Sequence, residues 1–206
     1  MMIPHVLRSP RALRVHSSSP AHPSPPGSLV TPLRGSDALD WLRERGIVAE
    51  GDGSFALAAE EVELPGLVLR RIWHTPATLR RDPAPRHASV LLLAPLEGAF
   101  SVSAASDHSG IIAPGRFAAL PGGLRSVITT RAAGARLELL ARPTPSAGAD
   151  ERTTLLVAAS VALPALTAAA NAILGSGPRS DGRASSRLAD ALEDLLGAVL
   201  ASAVDG

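Results

Sequence analysis

The chain reads as mainly β, an antiparallel sandwich or small barrel with helices after it. Between His87 and Arg142 short apolar runs alternate with Pro- and Gly-bearing turns, and no helical period separates them. That is the pattern of consecutive antiparallel strands rather than of βαβ units. After Arg142 the sequence changes to an alanine-rich stretch and then to a leucine stripe at helical spacing, which places helices last. The 206 residues, 46% of them hydrophobic, suffice for one domain with a real core, or for one domain plus an appended helical unit.

Residues 1–34 hold Pro4, Pro10, Pro20, Pro23, Pro25, Pro26 and Pro32 among serines and histidines. Such proline density opposes helix and ladder alike and predicts a disordered arm. The first residues lack a charged segment followed by an apolar one, so a secretory signal is not expected. Arg8, Arg11, Arg14 and Arg34 form no cluster; a solvated tail or a start codon placed too early explains the arm better than a contact with nucleic acid or lipid. Ser36 is placed to cap a helix over Asp37–Arg45, with acids in its first turn, arginines in its last and Gly46 as its stop. Leu39, Leu42 and Trp41 would face the body. Gly51-Asp52-Gly53 reads as a turn, Phe55–Ala58 and Leu67–Trp73 as the opening strands, and His74–Pro85 as a loop.

The strand region then runs in order. Ser89–Pro95 is an apolar run closed by its proline, and Glu97-Gly98 turns it into the alternation Phe100–Ser103. Ser106–Gly110 is the next turn. Ile111 and Ile112 lead to Pro114-Gly115, Arg116–Leu120 follows, and Pro121-Gly122-Gly123 bends the chain again. Leu124–Thr130 and Ala135–Ala141 flank Arg131–Gly134, a loop with the length and the glycine of a hairpin.

Composition excludes several classes of function. All the basic residues are arginine, and beyond residue 35 sixteen arginines face nineteen acids. A surface so balanced is mildly acidic and unsuited to holding DNA phosphates. There is no cysteine, hence no disulfide framework, thiolate zinc site or cysteine nucleophile. With no tyrosine, two tryptophans and three phenylalanines, the stacking platforms that bind single-stranded nucleic acid are missing.

Gly115, five residues, then Pro121-Gly122-Gly123 has the spacing of the second cupin motif, and the whole span resembles the sensor half of AraC/XylS-type transcription regulators. The resemblance implies a cupin-like barrel over residues 35–142. Cupin enzymes hold a metal with a His-x-His and a glutamate, and with a further His three positions after the Pro-x-Gly; here Ser126 stands at that last position and no His-x-His occurs. His74, His87 and His108 are scattered rather than paired at ligand spacing. No metal or other cofactor is therefore expected, and no catalytic residue is assigned. Trp73 and His74 at a strand end, with His87 and Arg125, are the candidates for lining a ligand cavity; the bland reading of the first two is a half-buried Trp73 beside a solvated His74.

Pro143–Ala149 is a linker, and Asp150 is placed to cap a helix beginning at Glu151, so that residues 150–206 form a helical unit. Thr153–Leu174 is uncharged and long enough to raise a membrane span. Its alanine, Thr, Ser and Asn171 content and its central Pro164 fit instead a kinked helix restarting at Pro164 and ending at Gly175. After a loop over Ser176–Ser185, the last helix carries Leu188, Leu192, Leu195 and Val199 on one stripe. Two covers suit that stripe equally, the chain's own barrel or a second copy. The resemblance extends to this tail and implies a dimerisation unit after the sensor, so the stripe is the candidate seam of a homodimer.

The leading expectation is a cytoplasmic, non-enzymatic module that senses a small-molecule effector and self-associates, related to AraC/XylS-type regulators but without their paired helix-turn-helix units, and so without DNA contact of its own. A cupin-fold enzyme or isomerase acting on a small molecule is the alternative, and the lack of any convergent set of titratable residues in the sequence speaks against it.

Overall fold

The computed structural model describes residues 32–50, 54–83, 90–104, 109–141, 155–176 and 182–205. The expected turn at 51–53, His87, His108, the linker and the Asp150 cap lie outside the described residues, as do residues 1–31.

In chain order the elements are β1 (Leu33–Arg34), α1 (Ser36–Arg43), β2 (Ile47–Glu50), β3 (Ala56–Leu64), β4 (Leu67–His74), β5 (Ala77–Arg81), β6 (Val90–Glu97), β7 (Phe100–Ala104), β8 (Ser109–Ile112), β9 (Arg116–Pro121), β10 (Ser126–Thr130), β11 (Gly134–Ala141), β12 (Leu156–Ala159), α2 (Leu163–Gly175), α3 (Gly182–Ala201) and β13 (Val204–Asp205). They form an eight-stranded sheet, β1-β3-β4-β11-β6-β9-β12-β13, and a five-stranded sheet, β2-β5-β10-β7-β8. Every pairing is antiparallel.

The chain builds three layers. Between the sheets lies a core of Leu57, Ile72, Leu79, Leu91, Leu93, Phe100, Val102, Ile112, Leu120 and Ile128, closed at one end by Ala38 and Leu42 of α1. A second core lies on the outer face of the large sheet, where Leu69, Leu92, Phe117, Leu137 and Leu139 meet Leu163, Leu166, Ala170 and Ile173 of α2 and Leu192, Leu196 and Val199 of α3. The large sheet is thus covered on both faces. At roughly 1.5–3 kcal/mol for each fully buried aliphatic side chain, the helical layer is as much a part of stability as the sandwich.

Several expectations change. Gly35, at φ 55°, occupies the N-cap of α1, so Ser36 is its first residue and gives no side-chain cap. The end of the N-terminal arm is structured: Leu33 and Arg34 pair with Leu57 and Ala56. The expected loop after His74 contains β5, whose Ala77, Leu79 and Arg81 alternate inward; the adjacent arginines hide a period of two. Pro95 does not close its strand. β9 pairs β6 only as far as Leu93 and the ladder with β11 shifts register at Ala135/Arg136, so the missing N–H costs no ladder bond there. Gly110 belongs to β8 rather than to a turn.

The supposed hairpin around Arg131–Gly134 is a crossing between sheets, since β10 pairs with β5 and β7 while β11 pairs with β4 and β6. Gly134 is required by close approach there: a Cβ would lie 2.9 Å from both the Glu97 carbonyl oxygen and Phe100 Cζ. The alanine-rich stretch before Pro164 is β12, hydrogen-bonded to β9, and only α2 is helical. The helices therefore do not make a unit apart from residues 35–142, because β12 and β13 complete the large sheet. The stripe on α3 is shared unevenly. Leu192 and Val199 are buried in the chain's own core together with Ala189 and Leu196, and Leu188 and Leu195 pack half-buried at its margin. A seam running through all four expected residues is not an exposed surface, because α3 covers the sheet with that face.

Candidate functional site

Alternation along β11 sends Leu137 and Leu139 outward to the helices and Arg136 and Glu138 into the sandwich. Along β4, Leu69 and Arg71, which reaches Asn171 of α2, face outward, while Arg70 and Ile72 face inward. Leu69, Leu137 and Leu139 join the outer core. Arg70, Arg136 and Glu138 occupy inner positions, with Glu138 directly opposite Arg70 on the neighbouring strand and Glu61 of β3 opposite Arg70 on its other side. From the facing sheet β5 contributes Arg81, whose register partner is Ser126 of β10. Arg45, just past α1, completes the set.

These groups form one network. Arg136 Nε and Nη2 donate to Glu138 Oε1 at 3.0 and 2.8 Å. Arg81 Nη2 donates to Glu138 Oε2, tying the two sheets together across the interior, and Arg70 Nη1 lies 3.9 Å from the same oxygen. Arg70 Nε also donates to Glu61, which receives Arg45 Nε and Nη2 at 2.9 and 3.1 Å. Arg45 in turn lies over the Trp41 ring, 3.8 Å from its centroid. Arg136 and Glu138 are 0% and 1% exposed, Arg81 and Arg70 5% and 8%.

Burial alone would raise the pKa of Glu138; Arg81, Arg136 and Arg70 outweigh it and hold the carboxyl at about 2. In Glu61 burial likewise raises, but the hydrogen bonds from Arg45 and Arg70 bring the net shift down. Burial pushes Arg136 down from the usual arginine range, against the pull of Glu138.

His74 is fully buried, with ring centroids 6.1 Å from Phe55 and 6.0 Å from Phe100. Its pKa falls to about 3, first through burial and then through Arg136, against the Thr75 carbonyl and Glu138. The neutral ring donates Nδ1–H to the Thr75 carbonyl at 2.7 Å, which leaves Nε2 as an acceptor.

Beside the network opens a cleft of ≈ 480 Å³ lined by Arg45, Glu61, Arg70, Arg81 and Leu140, with Glu44, Glu63 and Asp82 at its rim. That volume suits a small metabolite. Among the described residues five buried polar atoms have no hydrogen-bond partner: Arg81 Nε, Arg136 Nη1, Ser126 Oγ and His74 Nε2, and Arg116 Nε at the start of β9.

Of the expected ligand residues that the structure describes, His74 alone points inside. Trp73 sits on the opposite face of β4 against Ala56 and Ala58, 6% exposed, because neighbouring residues of a strand face opposite ways. The solvated His74 expected beside it is buried. Arg125 is on the surface, its side chain 68% exposed and 3.5 Å from Asp82. Arg45, Glu61, Arg70, Arg81, Arg136 and Glu138 were not expected. Their signal is the charge at every second position of Arg136-Leu-Glu138-Leu, which sequence reasoning assigns to solvent. A convergent set of titratable groups thus exists, yet its carboxylates are locked by guanidiniums and its histidine is neutral, so nothing in it is poised to exchange a proton near pH 7. Among the described residues no cluster of His, Cys, Asp or Glu could hold a metal ion, and no helix is long and apolar enough to cross a membrane.

No protein-family model matches the chain, and no curated protein matches it. Among solved structures it is similar to the AraC-like transcriptional activator CuxR, with a TM-score of 0.63 at 14% identity over 86% of this chain and 72% of that one. The Cupin_2 domain of an XRE family transcriptional regulator from Enterobacter cloacae matches with a TM-score of 0.37 at 12% identity, over 43% of this chain and 98% of that one. Protein Ylba from E. coli matches at a TM-score of 0.41 and 17% identity, over 59% of this chain and 57% of that one. The fold is mainly antiparallel β sheet with a C-terminal helical part, as expected from the sequence, and it is similar to that of the solved CuxR structure.

Proposed function

We propose that the chain is an effector-sensing module of an AraC-like transcription regulator, one that binds a small molecule in the sandwich interior and performs no chemistry on it. The observation that carries this reading is the network of Arg45, Glu61, Arg70, Arg81, Arg136 and Glu138 beside a cleft of ≈ 480 Å³. Buried charge of this density costs stability, and replacing it with apolar residues is often neutral or stabilising. Its presence in a sandwich otherwise filled with Leu, Ile, Val and Phe is accounted for by recognition rather than by folding. The likeness to an AraC-like activator supports a regulatory setting. DNA contact is left to other parts of the regulator, in keeping with the acidic balance beyond residue 35.

A thermal-shift screen of neutral and charged metabolites against the purified chain tests the reading. Binders are expected, and their shifts should be lost in Leu140→Phe, which adds a ring to the cleft wall. Turnover of a bound compound would replace this reading with the cupin enzyme. Absence of any binder sensitive to Leu140→Phe would end it.

A further inference from the structure

The interior network does not balance its own charge. Arg45, Arg70, Arg81 and Arg136 supply four guanidiniums against the carboxylates of Glu61, Glu138 and, at the surface end of the network, Glu44, which lies 3.4 Å from Arg45, so positive charge is left over at the buried end. Glu138 already accepts three bonds: one oxygen takes two from Arg136, and the other takes Arg81, with Arg70 beside it at 3.9 Å. The remaining donors on Arg81 and Arg136, at Nε and Nη1, are buried with no acceptor, and so is the Ser126 hydroxyl on the residue paired with Arg81. His74 does not join them, because its free Nε2 is an acceptor. Arg81 and Arg136 are linked through the Glu138 carboxylate, and Ser126 stands opposite Arg81 on the neighbouring strand, so three buried donors and a surplus of positive charge belong to one interior.

We propose that this site takes a compact anion, a carboxylate or a phosphoryl group, held by Arg81 and Arg136 with the Ser126 hydroxyl; the inference rests on the ligand-binding reading above and names the ligand's class. Water or a neutral ligand supplies acceptors but leaves the charge uncompensated, whereas an oxyanion answers both needs, with the charge-assisted geometry that guanidiniums favour. The rim adds a second criterion. Glu44 and Asp82, with side chains 75% and 65% exposed, and the exposed Glu63 surround the entrance. They disfavour further negative charge on the outer end of the ligand, so the anion is a single head group carrying a neutral or cationic tail.

Calorimetric titration with propionate, β-alanine, inorganic phosphate and propanamide, at equal ionic strength, separates the possibilities. Propanamide matches propionate in shape and lacks its charge. Saturable binding of propionate or β-alanine at least about tenfold tighter than propanamide identifies a carboxylate site, and saturable binding of phosphate alone a phosphoryl site. Either should weaken about tenfold in Ser126→Ala and in Arg81→Lys, which keeps the charge but removes the Nε donor. Ser126→Ala changes no charge and is expected to melt like the parent, so the test survives if the arginine variant folds poorly. Propanamide binding as tightly as propionate overturns the anion and leaves the sensor standing. No saturable binding, or binding unchanged in Ser126→Ala, also overturns it, and the Leu140→Phe screen then decides whether the sensor reading falls with it.

Discussion

Acid should unfold this protein through His74 before it touches the carboxylates. The ring is buried between Phe55 and Phe100 beside Arg136, and its pKa is about 3 against 6.5 for the ordinary group. A base whose folded pKa lies below its unfolded one contributes stability that is present above 6.5 and is lost as pH falls toward about 3. At pH 5 the unfolded chain has taken up this proton and the folded chain has not, a loss of about 2 kcal/mol relative to pH 7. Over the same interval Glu138, at about 2 against 4.5, contributes only a few tenths of a kcal/mol; its own loss of about 3 kcal/mol falls between pH 4.5 and 2. Urea unfolding at pH 7 and pH 5 reads the difference, as a drop in midpoint of roughly 1 M at an m-value of about 2 kcal/mol/M. His74→Gln keeps a donor for the Thr75 carbonyl but does not titrate, so most of the drop should vanish. A parent midpoint that is flat over this interval, or a variant that loses as much as the parent, would refute the argument.

Glu138→Gln should cost about 3–5 kcal/mol, because it leaves Arg81, Arg136 and Arg70 around a neutral amide in the interior; a loss under about 1 kcal/mol in urea would show that water reaches them. Gly134→Ala should cost about 1–3 kcal/mol, since the methyl meets the Glu97 carbonyl at 2.9 Å, and a melting temperature equal to the parent's would contradict the close approach. Leu192→Glu should abolish cooperative melting and bind a hydrophobic dye, since Leu192 is 1% exposed within the core under α3. A folded variant of halved mass by light scattering would instead put that residue in a contact between copies.

The strand order was legible wherever turn chemistry and apolar runs coincided, as in Arg116–Pro121, because Pro and Gly punctuate the chain for local reasons. It failed where the deciding contact is distant. Nothing near Leu156–Ala159 says strand; its partner is β9, far back in the sequence. The candidate site was hidden by a reversal. In a sheet with one wet face, Arg136-Leu137-Glu138-Leu139 means charge outward and leucine inward. Here the helices cover the outer face, so the leucines point to α2 and α3 and the charges point into the sandwich. Only knowledge of the third layer tells which way the strand faces. His74 lies on the inner face of β4 and Trp73 on the outer one, because neighbours on a strand face opposite ways, and the solvated His74 expected from a strand end is buried.

β11 serves two interiors at once. Leu137, Leu139 and Ala141 belong to the greasy joint with the helices, and Arg136 and Glu138 to the ionic lattice, so the two are separated by the thickness of a single backbone. A slip of one residue would drive Arg136 and Glu138 into the joint and strand leucines among the ions, which makes β11 a key that fits its lock in one register.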